Sequence, residues 1–535
     1  MYAMENADLI FMNGRIITCK GGNTTPSAEA IAVKNGRILL VGSTQEVLKL
    51  RGEKTDVRDL EGCSVIPGMF DSHTHLLAQG QSRLMFDANP MCEADILENA
   101  RCKAVETASG EWIEGYCGFR NESWDNDDPE DFMSVRKLDE VSLNHPLYIH
   151  RTVGQGSILR ANSVALRLAG IAEGTPLYEQ NILREEVCRA LEAVIPSDPE
   201  KLTRKALLAA QDEMFSYGVT SCVFVCVSEL EAQTLEEMYA AGELKLRINA
   251  ALGNLAGDSV ESIKKRMLIP PCYGKYGGRY SARSVKLFAD GTFGRHTAAL
   301  LDDYSDQPDC LGTLNYSDEE LYQIFSAAAR AGYQPLIHTV GDRAMKQVLN
   351  AYERVITEQR LRDHRFKIEH LQLMRPEDPA RIKRLGLVAS MQAAHAPYNR
   401  IMTENRLGPE RMKWTYALRP VWETGTIIVG GSDAPVQKAN PFEGIYAAVT
   451  RKYIDGQPEN GYVPENAISR DAALLSYTSN GAYGVFAESY LGTLEAGKLA
   501  DFAVLDRDYS ACPLEELKQI QVLCTVCAGE IVYQR

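Results

Sequence analysis

The chain has no excess of positive charge: 57 Lys and Arg stand against 72 Asp and Glu, a formal net charge of −15. Nucleic acids and anionic membranes are recognised through clustered cations, so this balance argues against both as partners. No apolar run reaches the length of about 18 residues needed to span a membrane. The segment from Met1 to Asn13 has no basic stretch followed by a long apolar one, so no secretory signal is expected. A paired-cysteine framework is missing as well. The 13 cysteines are odd in number and scattered, several inside apolar stretches as Cys222 and Cys226 are. Free thiols in a reducing, cytoplasmic compartment are the expectation. Cys524-Thr-Val-Cys527 is a lone pair without a second ligand pair, and it reads as part of a strand.

What is present is the composition of an ordinary globular protein, 45% hydrophobic and 24% charged. A chain of 535 residues exceeds one small core, so a large barrel with a second domain is expected. Residues 8–64 alternate as short strands, with Asn13-Gly14 and Asn35-Gly36 as hairpin turns. Residues 492–532 alternate similarly. The two chain ends are therefore expected to form one β domain, 1–64 with 490–535. Between them, strands alternate with helical stretches, the pattern of parallel β/α units. Apolar strand candidates at 65–70, 219–227, 246–252, 285–288, 335–338, 366–370, 387–391 and 427–429 number eight, as a TIM barrel requires, within 65–489. The gap after the first strand is too long for one crossover. Residues 79–200 are read as an insertion, a lid or substrate-site subdomain.

Active sites of TIM barrels lie at the C-terminal ends of the strands. Histidine is scarce, nine in all, yet four of the nine fall at such ends. His73 and His75 close the first strand, two residues apart and so on one face. His338 closes the fifth and His370 the sixth. Lys286 lies within the apolar fourth strand and Asp433 follows the eighth. A lone histidine is ordinarily a core residue. Histidines, a lysine and an aspartate at the ends of five strands converge on a metal site. Arg343 and Arg451 are read as solvated or salt-bridged, and Asp290 and Asp342 as structural.

These motifs resemble the amidohydrolase superfamily, in particular its YtcJ-like branch of metal-dependent hydrolases. The matching segments are Pro67-Gly68-Met69-Phe70-Asp71-Ser72-His73-Thr74-His75, Val285-Lys286-Leu287-Phe288-Ala289-Asp290-Gly291, His338-Thr339-Val340-Gly341-Asp342-Arg343-Ala344, Ile368-Glu369-His370, Gly431-Ser432-Asp433-Ala434-Pro435 and Leu491 through Asp501, in family order across nearly the whole chain. The resemblance implies a TIM barrel with a composite β-sandwich. It also implies a divalent metal, zinc above others, on His73, His75, His338, His370 and Asp433, with Lys286 in the place of a carboxylated lysine that bridges two ions where two are present. The chain departs from the family at Arg295-His296, where Arg is usual for His296, and at Gln392-Ala393, where Gln-Pro is usual, with His395 following. Arg295, His296, Gln392 and His395 are therefore expected to face substrate.

The chemistry expected is hydrolysis of a C–N bond in a small molecule, an N-substituted amide or formamide. Metal-bound water is the nucleophile, and Asp433 takes its proton and returns it to the leaving nitrogen. Deamination of a ring or amidine carbon with one metal is the alternative within enzymes. A non-catalytic binding or regulatory barrel is the alternative outside them, and the intact ligand set argues against it. A homo-oligomer is left open.

Overall fold

The computed structural model describes residues 6–88, 93–117, 133–153, 156–181, 183–184, 188, 190–191, 193–195, 199–254 and 259–535. It divides into two units, one of Met1–His75 with Gln211–Arg535, the other of Leu76–Ala210.

The first unit holds the barrel. Its strands are β1 (Met69–Thr74), β2 (Val219–Val227), β3 (Arg247–Leu252), β4 (Tyr280–Phe288), β5 (Gln334–Thr339), β6 (Lys367–His370), β7 (Val388–Met391) and β8 (Ile427–Gly430), parallel and in sequential order. A parallel bridge between Thr74 and Ala434 brings the last strand back to the first. This is the expected TIM barrel. Four of these strands, β1, β5, β6 and β7, are buried along their whole length and the others at most positions, which is why most of them read as largely apolar stretches. The helices carry explicit end signals. In Asp318–Ala331, Ser317 and Glu320 form a capping box and Gly332 ends the helix in the left-handed region. Its apolar positions Leu321, Ile324, Phe325 and Ala328 are buried, as their spacing predicts.

The first strand needs a correction. Residues 65–70 do not form one barrel strand. Ser64–Pro67 pairs with Arg15–Ile17 and with Phe502–Leu505, in a sheet outside the barrel. The barrel strand starts at Met69. Pro67 and Gly68 make the break. Gly68 donates its N–H to Asp501, and a Cβ there would lie 2.3 Å from Thr220 Oγ1, so the chain passes from one sheet to the next only without a side chain.

Both chain ends build a β-sandwich. A four-stranded sheet from the N-terminal segment faces a six-stranded sheet of mixed N- and C-terminal origin. Leu9, Phe11, Ile31 and Val33 of the first pack with Val65, Phe502, Val504 and Val526 of the second. Phe11 meets Phe502 edge to face at 5.2 Å. Asp501, the last residue of the matching C-terminal motif, takes a bidentate pair from the buried Arg247 of β3.

The second unit has its own sheet, in the order Leu183–Arg184, Gly156–Ala161, Leu147–Val153, Ile113–Cys117 and Phe86–Asp87. Two apolar clusters stabilise it. One centres on Phe86, Ile96 and Ile149, the other on Leu159, Leu166 and Leu183.

Candidate metal centre

Two strands fix the first pair of histidines. His73 is fully buried at the end of β1, and His75 follows β1 with partial exposure. The end of β8 is drawn against them. Asp433 donates its N–H to the His73 carbonyl at 2.7 Å, and the His75 N–H reaches the Ala434 carbonyl at 2.9 Å. Asp71, also buried, accepts from the backbone N–H of His73 and Ser432 and from the Ser432 hydroxyl. Gly431 permits the approach: a Cβ there would lie 2.8 Å from the His73 nitrogen. Asp433 and His370 are both held in the left-handed region, at φ of 59° and 75°. Strained backbone of this kind gathers at functional sites.

Asp433 is the hub. Its Oδ1 lies 3.3 Å from His75 Nε2 and 3.5 Å from His73 Nε2, and its Oδ2 lies 3.9 Å from His395 Nε2. Two sets of possible ligand atoms follow, each within 4.8 Å: His73, His75 and Asp433, and His370, His395 and Asp433. The His370 ring sits 4.7 Å from that of His73 and 4.6 Å from that of His338. His338 joins neither set. Its Nε2 donates to the Gly291 carbonyl at 3.0 Å, which leaves Nδ1 as the acceptor nitrogen of the ring.

Glu369 is the residue that reading the sequence missed. It stands directly before His370 in the sixth strand. It is fully buried, and its Oε2 accepts from His73 Nδ1 at 2.6 Å, so His73 turns Nε2 toward Asp433. The signal was a carboxylate inside an apolar strand, two residues from another buried charge, Lys367. Gln392, expected at substrate, meets His370. Its Oε1 accepts from His370 Nδ1 at 2.8 Å. Metal-bound histidines are commonly oriented in this way through the second ring nitrogen.

Arg295 and His296 lie on the loop after β4. Arg295 is exposed. His296 pairs with Asp306 at 3.1 Å and packs edge-on against Tyr304. Lys286 is 2% exposed, with Nζ over the Phe288 ring at 5.1 Å and no hydrogen bond. Asp290 does not pair with it. Both Asp290 oxygens accept backbone N–H groups from Ala299, Val340 and Gly341. Asp342 accepts from the Leu301 N–H. Arg451 is neither solvated nor ion-paired: it is fully buried, with Nε donating to the Tyr462 carbonyl.

The electrostatics suit a cation. Burial, with Lys286 behind it, holds His73 below its usual range. Burial pushes His338 down to about 3 and His370 well below its ordinary value. His395 is lowered for the same reason. Neutral imidazoles are the ligand form. Burial opposes ionisation of Glu369, but His73, Lys286 and Lys367 outweigh it and hold that carboxyl at about 2. Burial likewise works against the Asp433 charge, and the surrounding imidazoles keep it well below the carboxylate range. His73 Nε2, His395 Nε2 and Asp433 Oδ1 are buried with no hydrogen-bond partner. Leaving such atoms unpaired costs about 1–3 kcal/mol each, and a divalent cation would pair them. The donor set, imidazole nitrogens with a carboxylate oxygen, fits zinc or a similar ion.

The Amidohydrolase family model matches residues 56–533. The chain belongs to that family, a family of metal-dependent hydrolases. Three similar proteins bear on the site. Putative amidohydrolase YtcJ of Bacillus subtilis (strain 168) is 27% identical over 95% of this chain and 96% of its own length. The N-substituted formamide deformylase of Arthrobacter pascens is 27% identical over 99% of this chain and 98% of its own. The crystal structure of an uncharacterized metal-dependent hydrolase from Pyrococcus furiosus matches with a TM-score of 0.73 and 27% identity, over 94% of this chain and 100% of that one. The expected YtcJ-like branch of the amidohydrolases stands on these matches. Among the described residues no helix is long and apolar enough to cross a membrane.

Proposed function

We propose that this chain hydrolyses a C–N bond of the amide type in a small molecule, an N-substituted amide or formamide, with zinc at the His–Asp centre. The observation that carries the reading is the convergence of His73, His75, His370 and His395 on the two oxygens of Asp433, with buried atoms there left unpaired. Bound in that place, a divalent cation supplies a water nucleophile at neutral pH and polarises the substrate carbonyl. Asp433 would accept a proton from the attacking water on a carboxylate oxygen and deliver it to the departing nitrogen. Glu369 and Gln392 hold His73 and His370 in the tautomer that presents Nε2 to the site.

Lys286 fits the bridging role as a carbamate. Its amine is buried, without a hydrogen bond, and burial lowers its pKa, which favours the neutral nucleophilic form. The Nζ lone pair would add to the carbon of carbon dioxide, one C=O pair would move to oxygen, and an N–H proton would pass to water. The resulting anion has two oxygens, enough for two cations. The formamide class draws its support from the Arthrobacter pascens relative. A cytoplasmic location draws its support from thiols that are free, several of them buried.

Metal-free protein should be inactive, and should hydrolyse a member of a panel of N-formyl and N-acyl amines after zinc, manganese or cobalt is restored. Full activity without metal ends the reading. Release of ammonia from a ring or amidine substrate, with no amide turned over, replaces it with deamination.

A further inference from the structure

The two oxygens of Asp433 face different partners. Oδ1 is turned to His73 and His75, at 3.5 and 3.3 Å, and Oδ2 to His395, at 3.9 Å. His370 completes the second group, with His395 and Asp433 ligand atoms within 4.8 Å. Gln392 occupies His370 Nδ1 and leaves Nε2 as the atom of that ring open to a ligand. His395 is 3% exposed, and its Nε2 is buried with no hydrogen-bond partner. The rings of His370 and His395 lie nearly parallel, 11° apart, with centroids separated by 6.4 Å. Two facing imidazoles at that spacing leave room for an ion between their edges and the carboxylate.

We propose that His395 is a direct metal ligand through Nε2, in a second cation position shared with His370 and Asp433, and that Asp433 bridges this position and the one at His73 and His75. The short helix His395–Tyr398 places it: three residues separate this helix from β7, and the His395 N–H donates to the carbonyl of Gln392, the residue that also orients His370. Asn399 closes the turn by donating its N–H to the His395 carbonyl at 2.9 Å. The ligand class is a divalent cation that accepts two imidazoles and one carboxylate oxygen, zinc or cobalt rather than magnesium or calcium, which prefer all-oxygen shells. A carboxylate with one oxygen to each ion offsets charge that neither set of neutral imidazoles can offset alone.

The inference rests on the metal-dependent reading, and the test separates the two. Metal-free wild-type protein is titrated with cobalt and followed by calorimetry and by the visible spectrum of the bound ion. Two equivalents are expected. In His395→Ala and His395→Gln the second equivalent should weaken by about 100-fold or more, since even loss of a residue behind a ligand costs 10–100-fold. The first equivalent should keep its spectrum. Failure of the wild type to bind any divalent ion overturns the metal-dependent reading itself. Wild-type binding of two equivalents that is unchanged in both variants overturns only the role of His395, as does a single equivalent in the wild type. Should the variants fail to fold, an anomalous difference map of zinc-loaded wild-type crystals decides. A peak about 2.0–2.1 Å from His395 Nε2 is expected, and density at His73 and His75 alone overturns the proposal.

Discussion

Two buried carboxylates near the ends of the barrel strands have opposite surroundings. Asp290, after β4, has every strong contact satisfied: three backbone N–H groups from Ala299, Val340 and Gly341 close on its oxygens. Asp433, after β8, faces three histidine nitrogens at 3.3–3.9 Å, and its Oδ1 has no hydrogen-bond partner. Burial is the same in kind, and the satisfaction differs. A buried acid saturated by backbone donors ties loops together. A buried acid surrounded by unpaired ligand atoms is arranged for something that joins it. Lys367 sets the limit of that rule. Its Nζ is also buried without a hydrogen bond, but it lies close to Gly484 and belongs to no set of possible ligand atoms, acting on Glu369 through its charge.

The comparison breaks most sharply if metal is dispensable. Chelation followed by gel filtration should abolish turnover and leave the fold, as judged by circular dichroism. The next effect in size separates the two acids. Asp433→Asn should lower kcat by about 10²-fold or more, with metal content measured in parallel, because Asp433 is also placed to ligate. Near-normal turnover with metal retained would remove Asp433 from proton transfer.

Asp290→Ala should do the reverse. It leaves three buried N–H groups unpaired and should cost about 3 kcal/mol or more of stability in urea melts. A kinetic defect with unchanged stability would erase the distinction between the two carboxylates.

Lys367 gives a smaller, pH-dependent effect. Burial lowers it from 10.5 to about 8. Between these values the unfolded chain holds the proton and the folded chain releases it. Stability therefore rises as pH increases from about 8 toward 10.5, by up to about 3 kcal/mol. Replacement by Met should flatten that rise, and denaturation curves across this range would show a residual slope if Lys367 were not its source.

The smallest effect belongs to His296. Its pair with Asp306 is partly exposed, and such pairs contribute about 0–1 kcal/mol. His296→Ala should leave metal content unchanged and shift the melting midpoint little. Altered metal content would bring the loop after β4 into the centre.

Much of this was legible in the residues. Parallel strands buried on both faces are mostly apolar, so seven of the eight barrel strands stood out as short apolar stretches, the fourth only over its last four residues, since Tyr280–Arg283 is largely polar. The first did not, because Ser64–Pro67 is as apolar as Met69–Thr74 and lies in another sheet. Nothing local distinguishes a buried strand of a sandwich from a buried strand of a barrel. Only Pro67 and Gly68 marked the seam.

Candidate ligands were legible for a related reason. Histidine and aspartate at strand ends stand out against an apolar background, and the order of the strands carries them to one rim. Their partners were not. Whether Gln392 meets substrate or His370, and whether Glu369 is a core charge or the support of His73, depends on contacts between strands far apart in the chain. His73 and Glu369 are separated by 296 positions and meet at 2.6 Å. Residue order alone indicates that histidines and an aspartate gather on one rim of an alternating strand–helix chain, with His395 read as a substrate contact and His338 as a ligand. The tertiary structure decided which nitrogen of each ring is committed, which oxygen of Asp433 faces which histidines, and that Asp290 belongs to the loops, because hydrogen bonds at 2.6–3.0 Å are set by the closure of the barrel and not by any residue's neighbours in the chain.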